Sequence, residues 1–453
     1  MLYEAESGNI VMALCGDCHL NRKVSVHREE GFLKLVKMLR DADLTYANQE
    51  TLFHNYEDYP NTVSGEATTG TWMHSSPEML KEYQWMGIQM MGTSNNHSLD
   101  FGENGVLTNI KNLKAYGMPY AGTGRNLTEA RMPCYVDTPQ GRVALVSGSD
   151  AGPGGAGDQP FPFLEGGIGS ETTPYFQGKP GCNKIRFVAN FTVDRETFNS
   201  LKRTKTKMDF GRDCIEYYSN PRDTDTEIFF MGSKYVLGKD CSMTTVANKR
   251  DFEENLKWIR EARANADWVI VSFHHHGASR TPDEPPEHIK AFARAAIDAG
   301  ADAFIGHGPH QDEGVEVYNG KPILYSLGHL AWEINTVDKI PWDGMARLGL
   351  GYDNTPSEFF WARGTARGLE QAHQWRWENA VAIVTFEKKK VKEIRLHPID
   401  IGYGKPFSQQ GRPILAEKDS EVFKRVLARF QRLSEPFGTK IHVKGDALVV
   451  DVP

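Results

Sequence analysis

Fifteen histidines occur in the 453 residues, and their distribution is uneven. Three are consecutive, His274 to His276, and two more, His307 and His310, share the stretch HGPH. His97 follows two asparagines in TSNNHSLDFG (93–102), and His19 closes GDCH. Carboxylates stand close by: Asp17 lies in GDCH and Glu50 ends ANQE. Imidazole and carboxylate together hold Zn, Mn or Fe. Two close divalent ions need about eight to ten ligand positions, and this set is of that size. Each motif alone is a weak signal. A GD at a strand end is most often a turn, and NNH most often a polar loop.

These side chains act together only if the chain delivers them to one place. IVMALCG, DLTYANQE, GIQMMGT, GRVALVSGS, DWVIVSF, DAFIG and PILYSLG read as strands. GFLKLVKMLRDA, ENGVLTNIKNLKAYG, DFEENLKWIREARANA and HIKAFARAAIDAG read as helices between them. Ser76-Pro77-Glu78 marks a further helix start, with proline at the first helical position. ENAVAIVTFEKKKVKEIRLHPID reads as a β-hairpin, EVFKRVLARFQRLSEPFG as a helix and ALVVDV as a last strand. The pattern is α/β. Five strands end in metal-capable residues: Asp17 to His19, Asn48 to Glu50, Asn95 to His97, His274 to His276, and His307 to His310. In open α/β sheets, ligands bind beyond the carboxyl ends of the strands. Five such ends predict one crevice. Alternation along a strand puts His274 and His276 on one face and His275 on the other. Asp17 and His19 are also two apart and share a face by the same rule.

The net charge of −7 argues against a nucleic-acid partner, which calls for a basic surface. No apolar run reaches the ~18–20 residues of a membrane span. MLYEAESGNIVMALCGD lacks a basic stretch followed by an apolar one, so it does not read as a signal peptide. The expectation is a cytoplasmic protein. Cys15 and Cys18 form a C-x-x-C, but no helix starts directly after it, so a structural role outweighs redox chemistry. One domain is expected over 1–453, interrupted twice. Residues 150–245 are rich in glycine and proline at their start and weakly periodic, and read as an insertion or lid over the site. Residues 335–378 read as a second, irregular and aromatic-rich insertion. Its FFWARG and HQWRW either line a substrate pocket or simply pack.

GDCHL, ANQET, TSNNHSLDFG, VIVSFHHHG, GHGPHQDEGVEVYNGKPILYSLG and FQRLSEPFGT resemble the CapA/PgsA-like family of poly-γ-glutamate capsule synthesis proteins. That family is similar to the calcineurin-like metallophosphatases. The resemblance implies a two-sheet β-sandwich flanked by helices, four layers α/β/β/α, with a dinuclear metal site at one edge. Asp17 and His19 match the D-x-H ligands of one metal; most capsule-type relatives have an apolar residue in place of His19. Glu50 falls where a bridging carboxylate is expected. Asn96 matches a ligand of the second metal, and His97 its catalytic neighbour. His274 matches a strand-end ligand, and His307 and His310 the final pair. The usual SLGN appears here as SLGH, which makes His329 a substrate-side residue; Asn48 is expected to be another. The stretch GKPGCNKIRF resembles an insertion of soluble, unanchored members. Its Lys184 and Arg186 either meet an anionic part of the substrate or are ordinary surface charges.

The expected function is a metal-dependent hydrolase. Two divalent ions (Mn, Zn or Fe) activate a water that cleaves a phosphoester, amide or ester bond in a small organic or peptide substrate. His97 acts as general acid. Asp100 either orients His97 or caps the following helix, the cap being favoured. One alternative is an epimerase or lyase, similar to the lasso-peptide epimerase, with His276 or His97 as base. Another is a non-catalytic component of capsule synthesis. A homo-oligomer stays open.

Overall fold

Strand alternation sets the layers. Along the strand Ile10–His19, Met12 and Leu14 join one apolar cluster while Ala13 and Cys15 join another. In Trp268–His274, Trp268 and Ile270 face that first cluster, whereas Val269 and Val271 face a third. Both strands are buried on both faces, so their sequences read as continuous apolar runs. The shared cluster lies between two sheets. The other two lie under helices: Phe32, Leu35 and Tyr83 on one side, Ile259, Ile289 and Phe292 on the other. The result is the four-layer α/β/β/α sandwich that the motifs implied. The computed structural model describes residues 8–60, 71–150, 167–208, 223–230, 233–276, 283–367 and 373–452.

The first sheet runs Ile441–Lys444, Ala447–Val450, Lys390–Asp400, Glu378–Glu387, Ile10–His19, Leu44–Gln49, Met90–Gly92, Tyr120–Ala121. His329–Trp332 adds beside the end of Ile10–His19, and Ile414–Leu415 beside Lys390–Asp400. The second sheet runs Val315–Tyr318, Lys321–Leu324, Ala303–His307, Trp268–His274, Gly141–Ser149, Cys134–Thr138. The strands that matter here are parallel, joined through helices such as Glu30–Asp41 and Glu287–Asp298. Parallel strands end on the same side. Asp17 is therefore in register with Asn48, and Asn48 with Gly92. In the second sheet His274 is in register with both Ser149 and His307.

The two segments read as irregular hold regular structure. Within 150–245 and two residues past it, Phe187–Val193, Glu227–Phe230, Ser233–Leu237 and Ser242–Ala247 form a separate four-stranded sheet, accompanied by the helix Arg195–Lys207. That helix buries only Phe198, so its apolar spacing is too sparse to read. Within 335–378 lie the helices Trp342–Arg347 and Pro356–Arg367 and a 3₁₀ turn, Gln374–Trp377. Of these two segments, 151–166, 209–222, 231–232 and 368–372 lie outside the described residues. The C-x-x-C cysteines are both buried, and burial pushes each thiol up, which suits packing. Among the described residues no helix is long and apolar enough to cross a membrane.

Ile270 is fully buried between the sheets. Ile270→Ala should lower unfolding free energy by about 2–5 kcal/mol, read from denaturant midpoints at unchanged slope. A loss below about 1 kcal/mol would contradict a packed inter-sheet core.

Candidate metal centre

Asp17 stands where the carboxyl ends of the two sheets meet. Its Oδ1 accepts from Asn48 Nδ2 at 2.7 Å, and its Oδ2 from the backbone N–H of Gly308 at 3.0 Å. His274 Nδ1 and His307 Nδ1, from the second sheet, each lie 3.4 Å from Asp17 Oδ1. Burial raises this carboxyl, but the charge and hydrogen bonds of His274 and His307 more than reverse that, holding it well below the usual carboxylate range. Two glycines admit the geometry. A Cβ on Gly16 would lie 2.0 Å from the carbonyl oxygen of Gly328, which accepts from Asp17 N. Gly308, at φ +112, brings its N–H to Asp17 where a side chain would strike the His275 carbonyl. His310 adopts φ +58, a left-handed conformation that non-glycine residues take mostly at special sites.

Around Asp17 the ligand-capable atoms converge in three overlapping groups, each within 4.8 Å: Asp17, Glu50, His310 and His329; Asp17, His274 and His307; Glu50, His274 and His276. Histidine nitrogens face one another at 2.9 Å (His274 and His307), 3.2 Å (His274 and His276) and 2.8 Å (His310 and His329). Nitrogens bound to one ion at about 2.0–2.1 Å lie roughly 3.0–3.4 Å apart; the His274–His276 pair is at that spacing and the other two pairs are slightly closer. Burial pushes His307 and His329 down to about 4, and His276 and His310 well below the ordinary imidazole value. Neutral imidazole is the form that binds metal.

Partners behind the rings fix which nitrogen is presented, as behind most metal-binding histidines. His329 donates from Nδ1 to the carbonyl of Arg376 at 3.1 Å, leaving Nε2 toward His310. His307 Nε2 is held by the hydroxyls of Tyr46 and Ser272 at 3.1 and 3.0 Å, leaving Nδ1 toward Asp17. His19 donates from Nε2 to the carbonyl of His74 at 3.1 Å. Its Nδ1 is buried with no hydrogen-bond partner, and burial lowers the ring to about 3. His19 belongs to none of the three groups. Its orphaned nitrogen is nonetheless what a ligand atom looks like before it is bound.

His97 donates from Nδ1 to Asp100 Oδ2 at 2.7 Å, and both are buried. Asp100 does not cap the next helix: Phe101 holds that position, and no side chain caps it. The Asp100 carboxylate instead serves His97 and the N–H of Met73. Asn96 is buried in the same turn, which follows the strand in register with Asn48.

Several expectations change. His276, read as a base, stands with Glu50 and His274 as a ligand-capable group. His329, read as substrate-side, stands with Asp17, Glu50 and His310. Asn48, read as substrate-side, braces Asp17. Arg186, expected to meet substrate, pairs with buried Asp251 at 2.6 Å, because that carboxylate needs a cation once it is removed from water. Lys184 is buried and bridges by backbone to Ser149, at the end of a second-sheet strand. His275 turns away as alternation requires, to Glu313 at 3.3 Å, and the Glu313 charge overcomes burial to raise it to about 9.

The sequence reading missed Tyr46, His74, Ser272 and Arg376. Tyr46 was legible, being two before Asn48 and so on its face. His74 and Arg376 act through backbone carbonyls, which leave no signature in residue type.

Fold and site thus define a two-sheet α/β sandwich with a histidine- and carboxylate-lined centre at its joined strand ends. Residues 11–333 match the family described as "Bacterial capsule synthesis protein PGA_cap", and the chain belongs to that family. The match includes every member of the three groups. A relative in Sinorhizobium fredii, printed as "Uncharacterized protein y4sH", is 31% identical over 446 residues, covering 96% of this chain and 91% of its own. "Capsule biosynthesis protein CapA" of Bacillus anthracis is 22% identical over 335 residues, 72% of this chain and 61% of its own. A "Probable polyglutamine synthesis accessory protein" of Mycobacterium tuberculosis is 24% identical over 238 residues, 52% and 43%.

Metal binding should stabilise the folded state. After chelation, Mn²⁺ or Zn²⁺ at a hundredfold excess over its Kd should add about 2.7 kcal/mol, seen as a raised melting temperature. Asp17→Ala should abolish that rise. An equal rise in the variant would place the ion elsewhere.

Proposed function

We propose that the chain is a metal-dependent hydrolase of a phosphoester, amide or ester bond in a small organic or peptide substrate. The observation that carries this reading is the convergence of imidazoles, His307 and His329 among them kept neutral by burial, with Asp17 and Glu50 where the strand ends of the two sheets meet. Asp17, Glu50, His274, His307, His310 and His329 would hold divalent ions of the Mn, Zn or Fe type, with His19, Asn96 and His276 completing the set. When bound, such ions supply Lewis acidity, acidifying water and stabilising negative charge on oxygen.

The chain's own residues do the rest. Asp100 holds His97 with Nδ1 protonated, so Nε2 is the atom that exchanges a proton with the leaving group. Asn48 and the Gly308 N–H hold the Asp17 carboxylate against rotation. The relatives' printed names support a substrate or product of capsule-type polymer synthesis. They also favour a second reading, in which the protein is an accessory to that synthesis without turnover.

Turnover of bis-p-nitrophenyl phosphate and of γ-glutamyl-p-nitroanilide, measured with metal content, separates the two. His97→Ala should lose about 10²–10⁴-fold in kcat with metal retained, and Asp100→Asn should lose less. Asp17→Ala should lose both metal and turnover. Metal uptake without turnover on any phosphoester, amide or ester probe favours the accessory reading. Full activity in both His97→Ala and Asp17→Ala would end the hydrolase reading.

A further inference from the structure

Asp150 has no part in the metal-centred reading, yet it begins a chain of contacts that ends in the four-stranded sheet of the first inserted segment. It directly follows the strand Gly141–Ser149. Its Oδ1 accepts from the backbone N–H of His276 at 3.1 Å, and its own N–H donates to the His274 carbonyl at 3.0 Å. Asp150 thus grips the main chain at 274 and at 276, and both residues belong to one ligand-capable group with Glu50.

The other carboxylate oxygen, Oδ2, accepts from His288 Nε2 at 2.7 Å. His288 Nδ1 lies 2.9 Å from the Thr245 hydroxyl, and the backbone N–H of His288 lies 3.3 Å from the same oxygen. His288 is the second residue of the helix Glu287–Asp298, so that N–H has no acceptor within the helix. A neutral imidazole satisfies every one of these contacts. The hydroxyl accepts from the His288 N–H and donates its own hydrogen to Nδ1, while Nε2 carries the ring proton and donates to Asp150. Phe187 stacks on the His288 ring at 4.1 Å and 17°. Thr245 and Phe187 lie on Ser242–Ala247 and Phe187–Val193, paired strands of the inserted sheet. The chain of residues leading into that sheet is also joined to the second sheet at Ser149, which donates to the Asn183 carbonyl at 3.0 Å and accepts from Ile185 at 2.8 Å. Aspartate, histidine and threonine are the residue types of a nucleophilic triad, but all three are buried and the hydroxyl is turned to the imidazole, which suits a brace and not an attack on substrate.

We infer that Thr245, His288 and Asp150 form a brace through which the inserted sheet holds the His276 main chain, and with it the His276 ring, at the candidate metal centre. His288 is then a positioning residue. The inference rests on the metal-centred reading for the role of His276. It gives the segment 187–247 a task at the centre, exerted from behind the ligands. Groups that orient metal ligands typically contribute about 10–100-fold to metal affinity.

Two readouts on the full chain test it: Co²⁺ affinity with its visible absorption, which follows ligand geometry, and hydrogen exchange of the His276 amide in chelated protein. His288→Phe keeps the stack on Phe187 and removes both nitrogens. It should weaken Co²⁺ by about 10–100-fold, alter its spectrum and speed the exchange about tenfold. His288→Gln keeps a donor at the position of Nε2 and should restore most of each. Thr245→Val should move each readout in the same direction by less, and it carries the test alone should His288→Phe not fold. Wild-type affinity, spectrum and exchange in both His288→Phe and Thr245→Val overturn the inference. So does a His288→Gln variant no better than His288→Phe, which would make His288 a packing residue. Wild-type protein that takes up no Co²⁺ overturns the metal-centred reading instead, and the exchange rates then decide the brace by themselves.

Discussion

A buried carboxylate between two sheets constrains everything around it. Asp17 is removed from water, and an ionised carboxylate there is costly unless it is paired and hydrogen-bonded. It draws one bond from the neighbouring strand, through Asn48, and one from the opposite sheet, through Gly308. Two imidazoles from the second sheet complete its surroundings. The satisfaction of this one group therefore requires the two strand-end edges to meet. The glycines at 16, 308 and 328 are the backbone concession that lets them do so.

From that junction the remaining ligand-capable groups follow in order. Parallel strands bring Glu50 and the Asn96–His97 turn to the same edge as Asp17, and His274 beside His307 on the other. The rings are then aimed individually. Carbonyls of His74 and Arg376, the hydroxyls of Tyr46 and Ser272, and the Asp100 carboxylate each bind the ring nitrogen turned away from the centre. Beside His276, Asp150 accepts from its backbone N–H at 3.1 Å and is itself held by His288 at 2.7 Å. A centre assembled this way is braced from behind, while His19 Nδ1 and Asn48 Oδ1 keep unsatisfied polar atoms within it.

The charged residues divide by whether the fold already uses them. Arg186 had the right chemistry for an anion, but Asp251 is buried beside it and claims it. Arg425 and Arg429 are similarly taken, by Glu378 and by Asp312. His275, adjacent in sequence to two candidate ligands, is removed from them by strand alternation and kept by Glu313. Residue type alone does not distinguish such groups from those that meet a ligand. The difference lies in which side of an element faces a buried opposite charge.

The residues by themselves determined an α/β pattern and the edge of the candidate site, while the layers were what the family resemblance implied. Continuous apolar runs specify buried strands, and their polar ends specify the edge where the candidate ligands gather. Spacing by two separated His275 from His274 and His276. The family motifs added Asp17, His19, Glu50, Asn96, His274, His307 and His310 as one set; Asp17, Glu50, His274, His307 and His310 fall in the three converging groups, and His19 in none of them. Tertiary structure alone decided the rest. His329 and His276 join that set, because strand His329–Trp332 pairs with the end of Ile10–His19 and the ring at 276 turns inward. Asp100 turned from a helix cap to a partner of His97, a choice between two acceptor roles equally open to an aspartate before a helix. The weakly periodic segments hid a sheet and several helices, since short or sparsely apolar elements carry little pattern. The backbone carbonyls that orient His19 and His329 have no letter in the sequence at all. They exist as partners only once distant segments are packed together.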